Sequence, residues 1–158
     1  MKSTTPKSKQ TRTLLWIGGI LEILTLVSVS LMGLRMARMS DVPSDLDYST
    51  ARSSDKGLFN LSYVASTGTV PINQMHQWTL HVESADGKPI ENATINVDGD
   101  MPQHGHGLPT SPRVTKYLGN GDYLVDGMKF QMGGWWLMDF TISANGQTDA
   151  VHFNMMLK

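Results

Sequence analysis

Met101, His104 and His106 fall within six residues of one another, in a stretch whose pattern builds no core. Asp100 to Pro112 reads DMPQHGHGLPTSP, with three prolines, two glycines and no alternation of apolar and polar residues. Thioether and imidazole are the ligands that soft Cu(I) prefers, and Cu(II) accepts imidazole. A thioether has no proton to lose before it binds, so its affinity survives acid conditions that defeat a thiolate. His104 and His106 flank one glycine, so a bent loop can turn both imidazoles to the same side. A second irregular stretch, MKFQMGG from Met128 to Gly134, brings Met128 and Met132 beside flexible glycines. If the two stretches meet, Met101, His104, His106 and Met132 form a candidate copper site, with Met128 in reserve. Two His with Asp98 or Asp100 would instead suit zinc. The 11 methionines favour copper. The structural alternative is plain. Histidines in a Pro/Gly loop are often only solvated, and methionines often fill gaps in cores. Met138 and Met155 sit in phase with core residues, Met156 faces the other way, and Met75 and His76 open a strand and suit either role.

The elements around these residues divide the chain. Across 158 residues there is no cysteine, which excludes disulfides, thiolate metal sites and Cys nucleophiles. Residues 1–40 carry six Lys or Arg against Glu22 alone, a surplus of five positive charges. The remainder carries seven Lys or Arg against 13 Asp or Glu, a surplus of six negative ones. An acidic domain of this kind lacks the clustered basic residues that nucleic acid requires.

Leu14 to Leu34 is 21 residues long with one charge, Glu22. At about 1.5 Å per residue such a helix crosses about 30 Å of hydrocarbon. Basic residues are denser before the segment than after it, which predicts a cytoplasmic N-terminus and an outward-facing C-terminal domain. A cleaved signal peptide has a shorter apolar core and a small-residue cleavage site, so an uncleaved single-pass anchor in an inner membrane is expected. Glu22 costs about 3 kcal/mol mid-span and is a candidate contact with a membrane partner. The expected organisation is a cytoplasmic segment 1–13, an anchor 14–34, a Ser/Asp-rich linker 35–56 and an extracytoplasmic domain 57–158.

From Gly57 onward apolar residues alternate with polar ones in short runs, the mark of strands with one buried face. The runs centre on Phe59–Tyr63, Trp78–Val82, Ala93–Val97, Val114, Tyr123–Val125, Trp136–Ile142 and Val151–Met155. Turn signals separate them, and Asn145-Gly146 is a strong hairpin signal because both residues accept positive φ. About seven strands in about 100 residues predict an all-β, immunoglobulin-like β-sandwich.

The stretch from Trp78 to Ile142 resembles the YtkA-like domain family, which is related to FixH-type membrane-anchored proteins. The likeness rests on the GKPIENA turn, the MPQHGHG loop, the Gly119–Tyr123 turn and Phe130 to Trp136, and it extends over about residues 71–157. It implies an exported immunoglobulin-like sandwich, commonly tethered by one N-terminal helix, with no enzymatic activity. It also implies a link to copper handling and to respiratory oxidase assembly. Met101, His104 and His106 match the Met-Pro-x-His-x-His-Gly pattern of that family, and Met132 matches a position near the end of its next segment.

No nucleophile elbow, P-loop or dinucleotide fingerprint is present, and no carboxylate pair is placed for acid–base work. The expected function is therefore a membrane-anchored copper-binding accessory protein, with a membrane or periplasmic protein as partner. The rival is a metal-free interaction module with an exposed aromatic patch that includes Trp135. A small-molecule receptor is a weaker third reading, since it needs a formed pocket.

Overall fold

A computed structural model describes residues 42–158. The cytoplasmic segment 1–13, the anchor 14–34, Glu22 and the first part of the linker lie outside the described residues. Residues 42–158 form one compact unit, and it is all-β.

Among the described residues nine strands form, where about seven are expected. They are β1 (Ala51–Ser53), β2 (Phe59–Ala65), β3 (His76–Ser84), β4 (Thr94–Met101), β5 (His106–Gly107), β6 (Arg113–Gly119), β7 (Asp122–Met128), β8 (Gly134–Ala144) and β9 (Gln147–Leu157). The seven expected runs are all present. The two additions are short: β1 lies in the stretch read as linker, and β5 lies in the stretch read as irregular. Neither is long enough to show an alternation of its own.

The strands follow the order β1-β2-β3-β7-β6-β4-β8-β9, with β5 paired to β4. The join between β6 and β4 is a single antiparallel pair, Asn96 with Arg113. At the other extreme, the Arg52 guanidinium donates to the His152 carbonyl across 2.9 Å, and Asp55 N–H donates to the Ala150 carbonyl across 2.9 Å. The sheet therefore wraps on itself in a barrel-like form, narrowly joined at both seams.

Alternation explains the core. Along β8 every second residue from Trp136 to Ala144 is buried, and β9 repeats this at Val151, Phe153 and Met155. Tyr63 of β2 meets Phe153 of β9 edge-on at 5.0 Å, and Trp78 of β3 stacks near Phe140 of β8 at 6.3 Å. Strands distant in the sheet order thus face each other across one aromatic core. Each large side chain fully buried there stabilises the fold by roughly 1.5–3 kcal/mol.

Candidate functional site

The two irregular stretches meet at one end of the sheet. After β4, the chain turns tightly at Pro102–Gly105, with the N–H groups of His104 and Gly105 both donating to the Met101 carbonyl at 2.9 Å. Gly105 takes φ +65°, which a residue with a Cβ adopts only under strain. The turn returns as β5, pairing His106 with Met101. After β7, the chain crosses from Lys129 to Gly133 before β8. Gln131 joins the two stretches: its Nε2 donates to His106 Nδ1 across 3.0 Å and to the Gly107 carbonyl across 3.2 Å.

The two imidazoles lie side by side. The rings of His104 and His106 are stacked at 5.7 Å, and His106 also meets the edge of Trp136 at 6.1 Å. His104 is exposed and His106 is half-buried. The Trp136 indole donates to the Met132 carbonyl across 3.2 Å, which ties the backbone of Met132 to the floor of the same region. The Met132 side chain is exposed.

The other two candidate methionines sit differently. Met101 is fully buried, and its Cε lies against the Gly134 backbone so closely that a Cβ there would be 2.8 Å away. It continues the inward phase of Ile95 and Gly99 on β4 and belongs to the core. Met128 is also fully buried and stands opposite His76 in the β3–β7 ladder. The structure therefore brings His104, His106 and the Met132 backbone to one surface, with Met101 beneath it. Met128 faces a different neighbour.

Every methionine of residues 42–158 except Met138 lies at this end of the molecule, with Met155 and Met156 paired to Trp136 and Trp135. Trp135 is half-buried, and its indole donates to Asn154 Oδ1 across 3.0 Å. Met138 is at mid-strand beside Gly99. Among the described residues, no three or more His, Asp or Glu side chains gather as a metal site of that composition would need. Asp98, a possible zinc ligand by sequence, is exposed and accepts from the Gly99 N–H at 2.8 Å.

Two further histidines, His81 and His152, are engaged with carboxylates. His81 Nδ1 lies 2.6 Å from Asp122 and its Nε2 lies 3.2 Å from Glu83. Its pKa is raised, chiefly by the hydrogen bond to Asp122. His152 is held in the same way by Asp139 and Asp55, and its pKa is raised chiefly by Asp139.

One polar side chain of this end, Gln131, lies outside the candidate set drawn from the sequence. Gln131 carries no metal-ligand signal, and only the meeting of the loops gives it a role. By sequence alone His76 suits either role. It is 6% exposed, and its position just before Trp78, in phase with the core, is the signal that assigns it inward.

A model of the family described as YtkA-like matches residues 56–140, more than half of the chain. No curated protein matches the chain at a significant level.

Proposed function

We propose, from the premise that this chain belongs to the YtkA-like family, that it is a membrane-anchored, extracytoplasmic accessory protein that holds copper. The β domain is read as an immunoglobulin-like sandwich, carried on the outer side of an inner membrane by the helix at 14–34. It holds the ion at its His/Met end and passes it to a membrane or periplasmic protein partner, a respiratory oxidase being the reading the family suggests. It catalyses no covalent reaction.

The observation that carries this reading is the clasp of Gln131 on His106 and Gly107, beside a second imidazole 5.7 Å away. It supports a surface where two imidazoles stand side by side next to the backbone of Met132. His104, His106 and Met132 would bind from the surface, and Met101 from beneath. In the arrangement described, the Gln131 amide gives a hydrogen to His106 Nδ1, so the neutral ring carries its own proton on Nε2. A half-turn of the amide presents Oε1 to Nδ1–H instead and frees Nε2 to bind a metal. Ligand histidines are commonly oriented by such a partner on the other nitrogen. In that state Gln131 Oε1, buried and without a partner as it stands, gains one, while the Nε2 bond to the Gly107 carbonyl is given up and the metal–nitrogen bond at His106 must offset it.

The test is a Cu(I) titration of the purified protein against a chromophoric chelator, repeated with His104 and His106 both changed to Ala. Loss of two ligands is expected to weaken binding at this seat more than 100-fold. Unchanged affinity and stoichiometry in the double variant would remove the reading.

One observation favours the metal-free interaction module. Because β6 meets β4 through one residue pair, Val114 to Gly119 lack a ladder partner on that side. Tyr117 and Leu118 are exposed there. An open edge with apolar side chains suits addition of a partner strand.

A further inference from the structure

We infer that His76 and Met128 form a second, inner seat for a soft monovalent cation, Cu(I), separate from the His104/His106 surface. The inference rests on the proposed function for the class of metal but uses none of its surface ligands.

His76 is 6% exposed, so the residue is more than nine-tenths buried, its Nε2 included. Its Nδ1 lies 3.1 Å from the Gln74 carbonyl. A carbonyl only accepts, so Nδ1 carries the proton and Nε2 of the neutral ring is left with a lone pair. That Nε2 is buried and has no hydrogen-bond partner. A buried polar atom without a partner costs about 1–3 kcal/mol, and an ion at the site is one recognised reason for such an atom to persist. The bond from Nδ1–H to a backbone carbonyl is also the usual support of a metal-binding imidazole.

The neighbour is a thioether. Met128 is fully buried and stands directly opposite His76 in the β3–β7 ladder. Opposed residues leave the sheet on the same face with Cβ atoms about 4.5–5.5 Å apart. The register shifts between His76 and Trp78, where Gly127 takes φ +87°. This bulge turns Met128 inward.

The walls are aromatic. Phe130 lies 5.8 Å from the His76 ring and Trp78 lies 6.4 Å from it. Aromatic faces exclude water and attract a cation. A neutral nitrogen and a neutral sulfur do not suit Mg²⁺ or Ca²⁺, which need oxygen ligands. Asp126 borders the cleft above His76, but its carboxylate already accepts from Gln77 and Thr115. The donor set fits Cu(I). Met75, exposed at the mouth of the same cleft, offers a thioether on the way in.

The two seats are kept apart by rings. Phe130 meets Trp136 at 5.1 Å, and Trp136 meets His106 at 6.1 Å, so two aromatic side chains stand between His76 and His106.

The test uses the full chain in detergent, with Cu(I) presented by a chromophoric chelator. Variants are Met128→Leu, which keeps core volume, His76→Gln, and the pair His104→Ala/His106→Ala. Near-ultraviolet circular dichroism verifies that each is folded. The wild type is expected to hold two ions. Met128→Leu and His76→Gln each lose one, with at least a 100-fold drop at that seat. The His104/His106 variant keeps one ion, whose X-ray absorption shows Cu–S and Cu–N contacts that vanish when Met128→Leu is added. Folded Met128→Leu and His76→Gln proteins that bind as the wild type does would overturn the inner seat. So would loss of all binding in the His104/His106 variant, which would leave the surface reading standing. A single ion sensitive to Met128→Leu but not to the His104/His106 change would support the inner seat and sink the surface one.

Discussion

His152 Nδ1 lies 2.5 Å from Asp139 Oδ1, its directly opposed partner in the β8–β9 ladder. The other ring nitrogen lies 3.2 Å from Asp55, so this imidazole bridges β8 and β9 to the turn after β1. His81 does the same between Asp122 of β7 and its own strand neighbour Glu83. Both pKa values are raised above 6.5 by these carboxylates. The folded protein therefore holds the protonated rings more tightly than the unfolded chain. This stability is fully present below pH 6.5 and is lost as pH rises through the raised values. Asp47, Asp126 and Asp149 have lowered pKa values, and Asp86 is lowered to about 2, so they stay charged throughout that window. Both clamps are partly exposed, so each contributes about 0.5 kcal/mol or less after screening. Thermal melts at pH 6 and pH 8 are expected to differ by about 1–3 °C in favour of pH 6. His81→Gln with His152→Gln should flatten the difference, and a melt more stable at pH 8 would contradict the assignment.

Gln131 is the only described hydrogen-bond link between the 129–133 crossing and β5. Replacing it with Leu removes both bonds at a cost of about 1 kcal/mol each, partly recovered because an unpartnered buried oxygen goes with them. The expected loss of stability is about 1 kcal/mol by urea denaturation. Under the proposed function, Cu(I) affinity at the surface seat falls about 10–100-fold, the usual effect of removing a residue that orients a ligand histidine. Equal affinity in the two proteins would show that His106 needs no such support.

Met101 and Met132, both candidates from sequence, are expected to behave oppositely. Met101 is fully buried in the core, so Met101→Ala opens a cavity and costs about 2–5 kcal/mol. Met132 is 37% exposed, so Met132→Ala is expected to cost less than about 0.5 kcal/mol. Under the proposed function, its effect appears in copper affinity instead. Denaturant midpoints for the two variants separate these roles directly.

What the sequence reveals and hides follows from particular residues. Most of the long strands are legible because Trp78-x-Leu80-x-Val82 and its counterparts alternate, whereas β6 is exposed along most of its length and only Val114 marks it. The Asn145-Gly146 turn was legible because both residues do take positive φ, at 52° and 74°. β1 and β5 were not legible, since three and two residues form pairs only when a neighbouring strand offers them. Met101 looks irregular in sequence because Gly99 occupies the preceding inward position, where a side chain would mark the phase. Met128 was hidden by the bulge at Gly127, which shifts the alternation of Tyr123 and Val125 by one residue. The unpartnered nitrogen of His76 is a property of packing, which no local pattern encodes.

Gly121 and Gly146 have nearly the same backbone, with φ of +79° and +74°. Alanine at either place meets the strain of a left-handed conformation, about 1–2 kcal/mol. The surroundings differ. A Cβ at Gly146 meets open space, whereas one at Gly121 would lie 2.6 Å from the Val82 carbonyl oxygen and 3.2 Å from Pro89 Cβ. The Val82 oxygen cannot step aside cheaply, because it accepts from the Ile90 N–H at 3.0 Å, while the Val82 N–H donates to the Gly121 carbonyl at 2.9 Å. The backbone must therefore shift, adding about 1–3 kcal/mol of overpacking. Gly121→Ala is expected to lose roughly twice the stability of Gly146→Ala in paired urea titrations. Similar losses at both positions would mean that the β6–β7 turn yields more easily than its contacts with Val82 and Pro89 imply.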